Sequence, residues 1–268
     1  MNRLPARFSE LRRSQRKALI PFITAADPTP QVTVPLMHAM VAAGADIIEL
    51  GMPFSDPMAE GPAIQAANER SLRQPVGLRG VLAMVREFRT KNEATPVVLM
   101  GYMNPVEAMG YAEFARAAAK AGADAALIVD APPEEAGTLR EALHAAGLEQ
   151  IFLIAPTTTP ERMRKICGAS SGFVYYVSLK GVTGAKTLDV NEVAAKVDLI
   201  HSMTDLPVGV GFGIHDAASA AAVARVADAV VVGSAVVNRI AAQVNTPERI
   251  IPEVSEFLAE LRGAIDRR

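Results

Sequence analysis

The sequence predicts an α/β protein of the (β/α)8 class, a TIM barrel with an extra helix at its N-terminus. Eight short, continuously apolar segments recur along its 268 residues, with alanine-rich segments of helical period between them. One junction motif also returns at the ends of several of these helices. A chain of this length can form one barrel, so we expect a single domain over residues 1–268.

The apolar segments predict eight strands of a parallel sheet. They do not alternate with polar residues, which is typical of strands covered on both faces. The predicted strands are residues 19–23, 47–50, 97–100, 125–129, 151–154, 173–177, 208–210 and 229–232. A doubly wound open sheet is the alternative, but it more often has a glycine-rich first turn, and no G-x-G-x-x-G follows the first strand here.

Helices are predicted between the strands and outside them. Examples of the first kind are residues 34–43, 111–121, 134–145, 193–201 and 217–226. Residues 3–13 should form a helix that covers the barrel bottom with Phe8 and Leu11, and residues 246–265 the last helix, bent at Pro252. Several helix ends share one motif, Ala43-Gly44-Ala45-Asp46 and Ala121-Gly122-Ala123-Asp124, with a shorter relative without glycine at Ala227-Asp228-Ala229. We expect Gly44 and Gly122 to end their helices in the left-handed conformation.

Composition excludes several classes of protein. The net charge of -2 provides no basic surface for nucleic acid. No run of about 18 apolar residues is present, so we expect no membrane span, and the N-terminus lacks the apolar core of a signal peptide. The one cysteine, Cys167, forms no intrachain disulfide, which fits a cytoplasmic protein. No spacing of His, Cys and Asp predicts a metal site.

Acidic residues cluster around the end of the second strand. Glu49 lies within the apolar segment 47–50, and a proline-rich loop with Asp56 and Glu60 follows. The C-terminal ends of barrel strands build the active site, and burial there would raise the pKa of Glu49 toward neutrality, as proton transfer requires. The alternatives are a structural carboxylate at Glu49, a solvated acid at Glu60 and a turn cap at Asp56.

Glycines at the predicted ends of strands seven and eight indicate a phosphate site. Backbone without a Cβ at Gly213 and Gly233 can approach phosphate oxygens, and Ser234 begins a short helix, residues 235–240, whose free N–H groups favour an anion. Gly184, after strand six, can add a backbone donor. The alternative is that Gly213 and Gly233 only form tight turns, but two such sites together favour phosphate.

Apolar side chains near the same strand ends predict a pocket of the size of an aromatic ring. Each of them alone would be assigned to the core, and only their shared position at the barrel top suggests a ligand. They are Phe22, Met100, Leu127, Leu153 and Phe212.

Several of these segments resemble the tryptophan synthase α subunit family, and the resemblance covers nearly the whole chain. The Pro-Phe-Ser-Asp-Pro block at residues 53–57 is highly specific, whereas the terminal glycines are not. The resemblance is carried by Ile20-Pro21-Phe22-Ile23-Thr24-Ala25, Glu49-Leu50-Gly51-Met52-Pro53-Phe54-Ser55-Asp56-Pro57, Gly61-Pro62, Tyr102-Met103-Asn104-Pro105, Leu127-Ile128-Val129-Asp130-Ala131-Pro132-Pro133-Glu134-Glu135, Gly181-Val182-Thr183-Gly184, Gly211-Phe212-Gly213-Ile214 and Gly233-Ser234-Ala235.

The resemblance implies retro-aldol cleavage of indole-3-glycerol phosphate to indole and glyceraldehyde 3-phosphate, a step of tryptophan biosynthesis. Glu49 would be the general acid and base, and Glu60 would stabilise charge at the indole N–H. Thr183 would bond to the Glu60 carboxylate when the site closes. By the same resemblance, phosphate is held by Gly184, Gly213, Gly233 and Ser234, and the indole and glycerol pocket is lined by Phe22, Met100, Tyr102, Leu127, Leu153, Tyr175, Thr183 and Phe212.

The family also implies a partner. A β subunit that carries pyridoxal phosphate would join this chain in an α2β2 complex, and indole would pass between them through a tunnel. The loop with Pro53 and Asp56 would contact that partner. The pyridoxal phosphate belongs to the β subunit, so this chain is expected to need no cofactor.

One residue departs from the family pattern. The pattern is Ala-Asp-Gly-Pro, whereas this chain has Ala59-Glu60-Gly61-Pro62, with a carboxylate one methylene longer. Misplacing a catalytic group by about 1 Å can lower a rate about 100-fold. We therefore expect a retained pocket with reduced turnover. The alternatives are a ligand-binding subunit that activates the β subunit without competent cleavage, and another phosphate-sugar barrel enzyme, such as an isomerase.

Overall fold

A parallel β-barrel forms the centre of the molecule in a computed structural model that describes residues 2–177, 189–211 and 213–267. Among the described residues its strands are β1 (Ala18–Thr24), β2 (Ile48–Gly51), β3 (Val97–Gly101), β4 (Ala125–Ile128), β5 (Glu149–Ile151), β6 (Leu153–Ile154), β7 (Val174–Val177), β8 (Val208–Gly211) and β9 (Ala229–Val232). They pair in the order β5-β4-β3-β2-β1-β9-β8-β7-β6, and every pair is parallel.

The strands β5 and β6 together form the fifth predicted strand. Only Phe152 separates them, and β5 pairs with β4 while β6 pairs with β7. The change of partner at Phe152 lets one stretch of chain close the barrel between two neighbours. The predicted (β/α)8 class is therefore confirmed, with its fifth strand interrupted at one residue.

Helices surround the barrel and cover one end of it. They are α1 (Arg3–Arg13), α2 (Pro30–Ala42), α3 (Pro62–Leu72), α4 (Leu78–Arg89), α5 (Met103–Met109), α6 (Tyr111–Ala121), α7 (Gly137–Ala145), α8 (Pro160–Ala169), α9 (Val190–His201), α10 (Ala217–Ala224), α11 (Ser234–Ala242) and α12 (Ile250–Asp266), with a 3-10 turn at Pro247–Arg249.

The bounds of the predicted helices differ from the observed ones by up to four residues, as at α2, which begins at Pro30 rather than at residue 34. The helix predicted from residue 134 begins at Gly137, because residues 133–135 form a turn after Pro132. The place of Pro252 gives no reason for the predicted bend. This proline lies in the first turn of α12, where the backbone N–H has no partner within the helix, so proline costs no hydrogen bond there.

The predicted cover of the barrel bottom is confirmed in α1. Leu4, Phe8 and Leu11 are buried in one cluster with the inward side chains of the strands. The ring centroids of Phe8 and Phe173 lie 5.7 Å apart. The bottom of the barrel is thus filled by apolar side chains, which leaves the opposite end, at the strand C-termini, for a site.

The aspartates of the repeated junction motif all have the same role at the barrel bottom. Each carboxylate accepts a hydrogen bond from the backbone of a neighbouring strand and lies within 3.9 Å of two basic side chains, one of which contacts the same oxygen as the backbone donor. The groups that contact Oδ2 are Leu19 N and Arg262 Nη1 at Asp46, Val97 N and Arg89 Nη2 at Asp124, and Val208 N and His201 Nε2 at Asp228, all between 2.8 and 3.0 Å.

The glycine of the motif leaves room for the arginine that binds the aspartate. Gly122 has φ +94°, and a Cβ there would lie 2.8 Å from Arg89 Cγ. The Arg89 side chain is held by Asp124 at 2.8 Å and by the carbonyl of Thr95 at 2.6 Å, so it does not move aside freely.

Replacing Gly122 by alanine should therefore lower the free energy of unfolding by about 2 kcal/mol, from backbone strain and the displaced arginine together. Gly147→Ala is the matched control, because Gly147 also has a positive φ, +76°, but among the described residues no atom beyond its chain neighbours lies within 4 Å of the place that a Cβ would take there. Gly147→Ala should lower the free energy of unfolding, measured with urea, by about 1 kcal/mol. Equal losses in the two variants would mean that the Arg89 contact has no weight.

Candidate active site

Glu49 is a buried carboxyl on the inner face of β2. It is paired in register with Phe22 of β1 and Val98 of β3, and it is 1% exposed. Its Oε1 atom has no hydrogen-bond partner within the described part of the chain. Burial, with the nearby charge of Glu60, raises the pKa of Glu49 from its ordinary 4.5 to about 8. The group therefore holds a proton at neutral pH and has a free oxygen for a ligand.

Glu60 reaches the same end of the barrel from the loop between β2 and α3. Proline starts α3 at Pro62, so the loop ends directly after the acid. Glu60 is half-buried, and burial raises its pKa from 4.5 to about 7. Its backbone carbonyl accepts a hydrogen bond from Gln65 Nε2 at 2.9 Å. Glu60 is thus a partly desolvated acid and differs from an ordinary solvated loop residue.

Two neighbouring cavities lie at this end of the barrel, and Glu60, Met100 and Tyr175 line both. The inner cavity has a volume of about 70 Å³ and is lined by Phe22, Glu49, Glu60, Ile64, Met100, Tyr175, Gly213, Ile214, Val231, Gly233 and Ser234. The outer cavity has about 530 Å³ and a largely apolar wall that includes Val129, Phe152, Leu153, Ile166 and Val177. Both carboxyls therefore face one space, with room for an aromatic bicycle beside it.

Backbone groups form one side of the inner cavity. Gly213 has φ +77°, a conformation that favours glycine. Gly233 is the N-cap residue of α11 and Ser234 its first residue, and no side chain caps this helix start. The free N–H groups of the first turn favour an anion at this position. The remaining predicted backbone donor, Gly184, lies outside the described residues, as do Thr183 and Phe212.

The other predicted site residues are spread around this centre. Leu153 lines the outer cavity. Leu127 is fully buried in the barrel interior, and neither cavity includes Leu127 or Tyr102 among its lining residues. On the loop after β2, Pro53 is half-buried and Asp56 exposed. No group of three His, Cys, Asp or Glu side chains that could hold a metal ion occurs in the described ranges.

Three apolar residues of the inner cavity were missed by the sequence reasoning. Ile64 comes from the first turn of α3, Ile214 follows Gly213, and Val231 is an inward residue of β9. The alternation of inward and outward side chains along β9 could have identified Val231. Ile64 carried no such signal, because its place depends on how α3 packs over the barrel.

The raised pKa of Glu49 predicts how stability changes with pH. The unfolded chain loses this proton near pH 4.5 and the folded protein near pH 8, so the folded state binds more protons between these values. The contribution of Glu49 to stability is therefore complete below pH 4.5 and is lost as the pH rises through about 8.

Glutamine has no such proton, so the free energy of unfolding of Glu49→Gln, relative to the natural chain, should increase from pH 5 to pH 8 by an amount on the order of 3 kcal/mol. Urea unfolding at several pH values measures this difference. Glu141→Gln, an exposed change on α7, is the control. A difference for Glu49→Gln that does not vary with pH would contradict the assigned burial.

Comparison with known proteins places this geometry in a family. A sequence profile described as tryptophan synthase alpha chain matches residues 8–266. The chain belongs to the tryptophan synthase alpha chain family. The resemblance inferred from its motifs is thereby confirmed.

Individual members of the tryptophan synthase alpha chain family are similar over their full length. The protein of that name from Thioalkalivibrio sulfidiphilus is 64% identical over 266 residues, covering 99% of this chain and 100% of the relative. The one from Nitrosococcus oceani is 60% identical, with 99% and 98% covered. A crystal structure of tryptophan synthase subunit alpha from Legionella pneumophila str. Paris is 44% identical, with a TM-score of 0.92 and 99% of each chain covered.

Proposed function

We propose that this chain cleaves indole-3-glycerol phosphate to indole and glyceraldehyde 3-phosphate, as a lyase of tryptophan biosynthesis. The observation that carries the proposal is the meeting of Glu49 and Glu60 in one cavity, across from the glycine backbone at Gly213 and Gly233. Membership of the tryptophan synthase alpha chain family supports it. A ligand-binding subunit without cleavage is favoured by neither the cavity nor the relatives.

Glu49 has the properties that the proton transfers require. Cleavage begins when indole C3 gains a proton and positive charge develops at the ring nitrogen. The bond from C3 to the side chain then breaks, its electron pair returns to the ring, and the adjacent hydroxyl loses its proton to become an aldehyde. With a pKa of about 8, Glu49 is protonated at neutral pH, gives its proton to C3 and then takes the hydroxyl proton as carboxylate.

The proposed role of Glu60 is to stabilise the positive charge that develops on the indole nitrogen. A carboxylate that accepts the indole N–H stabilises the cation formed when C3 is protonated. Its pKa of about 7 leaves a substantial ionised fraction at neutral pH. The longer side chain of glutamate keeps this charge, and the half-buried loop places it on both cavities.

The other proposed roles are phosphate binding, on the backbone side of the cavity, and binding of the indole ring, on its apolar side. Gly213, Gly233 and Ser234 hold the phosphate through backbone N–H groups, with Gly184 as a further donor. The indole ring lies against the apolar wall, and Thr183 bonds to Glu60 in the closed site. Of the residues predicted for the ring and glycerol pocket, Phe22, Met100, Leu153 and Tyr175 line the cavities, whereas Tyr102 and Leu127 do not and are left out of the proposed pocket. Thr183 and Phe212 complete the proposed set.

A β subunit with pyridoxal phosphate is the proposed partner, in an α2β2 complex, and the chain is proposed to act in the cytoplasm. The loop with Pro53 and Asp56 also presents Met58, which is 86% exposed, and Leu72 of α3 nearby is 42% exposed. Both side chains line one surface cavity together with Asp56, which supports this loop as the contact with the partner. No helix within the described residues has the length and apolar character to cross a membrane.

Indole release from indole-3-glycerol phosphate tests the function directly. The chain and its Glu60→Asp variant are assayed, each alone and with a β subunit present, and a plain sugar phosphate is tested as a competing ligand. The proposal requires indole release by the natural chain and tighter binding of the indole-bearing phosphate than of the plain sugar phosphate. If neither protein releases indole even with the β subunit, the lyase proposal is lost.

A further inference from the structure

One side chain, Tyr102, contacts the Glu60 loop (residues 52–61) at both of its ends. Tyr102 directly follows β3, and its hydroxyl accepts a hydrogen bond from the backbone N–H of Ala59 at 3.0 Å. Its ring stacks on Phe54, with centroids 5.1 Å apart and an interplanar angle of 28°. Phe54 lies near the start of the Glu60 loop and Ala59 near its end, so Tyr102 fastens the loop to the barrel.

We infer that Tyr102 is a positioning residue that holds the Glu60 carboxylate in the cavity through the backbone of Ala59. This inference rests on the proposed function. Ala59 directly precedes Glu60, so a hydrogen bond at Ala59 fixes the chain from which the acid extends. Tyr102 is 3% exposed and lines neither cavity, so it acts through the loop.

The other hydrogen bonds of the Glu60 loop join it to β3 at its first residue, where the Met52 N–H donates to the carbonyl of Met100 at 2.7 Å, and to α3. The N–H of Phe54 donates to Asn68 Oδ1 at 2.8 Å, and Gln65 Nε2 donates to the carbonyl of Glu60 at 2.9 Å. α3 is in turn held at the end of β1, where Ser71 Oγ donates to the carbonyl of Ala25 at 2.6 Å. Tyr102 provides the hydrogen bond that joins the loop to the end of β3 directly beside Glu60.

The length of Glu60 makes this position more important. A glutamate side chain has one more rotatable bond than aspartate, so its carboxylate samples a wider region from a given backbone. A fixed backbone at Ala59 narrows that region to positions that face the cavity. Loss of the anchor should therefore reduce turnover more than it reduces ligand binding.

Tyr102→Phe tests the inference, because it keeps the ring on Phe54 and removes the acceptor for Ala59 N–H. We expect kcat for indole release to fall about tenfold, while KM and the affinity for an uncleavable indole-bearing phosphate change less than about twofold. Tyr111→Phe, the same change on α6 outside both cavities, is the matched control and should change neither value. In a Glu60→Gln background, Tyr102→Phe should have no further effect on residual turnover.

Phe54→Leu provides a second variant, which keeps the hydroxyl bond and loses the ring stack; it should lower kcat about threefold. A normal kcat in Tyr102→Phe, or in Phe54→Leu if Tyr102→Phe does not fold, would overturn the inference. A second result would also overturn it. In that result Tyr102→Phe lowers kcat and ligand affinity together, and it does so by the same factors in the natural chain and in the Glu60→Gln background. Failure of the natural chain to release indole would instead refute the proposed function.

Discussion

Replacing Glu49 by glutamine should abolish indole release, with kcat at least about 1000-fold lower, because glutamine neither gives nor takes a proton. The affinity for an uncleavable indole-bearing phosphate should stay within about threefold of the natural value. In the proposed site the phosphate is held by the backbone of Gly213, Gly233 and Ser234, which this change leaves intact. Steady-state indole release and calorimetric titration of the ligand measure the two quantities.

The matched control for this prediction is Glu141→Gln, an exposed change on α7 that should leave both quantities unaltered. A large loss of ligand affinity in Glu49→Gln with nearly normal kcat would contradict the assigned role. Such a result would make Glu49 a binding residue and would move the proton transfer to another group.

Replacing Glu60 by glutamine should lower kcat on the order of 100-fold, because the positive indole nitrogen then faces a neutral amide. The effect should be smaller than at Glu49, since the proton transfers themselves remain possible. Ligand affinity should change little, because charge at the indole nitrogen develops only after binding.

The pH profile of kcat/KM should report the same role of Glu60. In the proposed mechanism Glu60 acts as carboxylate and has a pKa of about 7, whereas Glu49 acts first as acid and has a pKa of about 8. Activity should therefore rise with pH through about 7 and fall above about 8. The two carboxyls interact, so these limits belong to the pair. In Glu60→Gln the acidic limb should disappear, and its persistence near pH 7 would assign that limb to another group.

The strands could be predicted from the sequence because a parallel sheet is covered on both faces, so each of its strands is a short run of apolar residues. The interruption at Phe152 could not, because residues 151–154 remain apolar through it and the change of pairing partner depends on barrel closure. The motif glycines Gly44 and Gly122 were predicted from local conformation. The role of Asp46 and Asp124 in binding strand backbone was not, because it depends on residues distant in sequence.

Glu49 was the clearest site prediction, because a single acid within an apolar strand has few structural explanations. Glu60 was weaker from spacing alone, since the burial of a loop residue is set by the elements that pack around it. The contact of Tyr102 with Ala59 joins residues 43 positions apart, and no sequence pattern predicted it. Side chains that act through a loop backbone are therefore found from coordinates rather than from motifs.

The most direct test of the two-carboxylate site is a crystal structure of the chain with an uncleavable indole-bearing phosphate. The quantity to measure is the distance from the indole nitrogen to the nearer carboxylate oxygen of Glu60. We predict about 3 Å, a hydrogen bond, with the phosphate against the backbone of Gly213, Gly233 and Ser234. An indole nitrogen more than about 5 Å from Glu60, or a phosphate bound elsewhere, would contradict the proposed site.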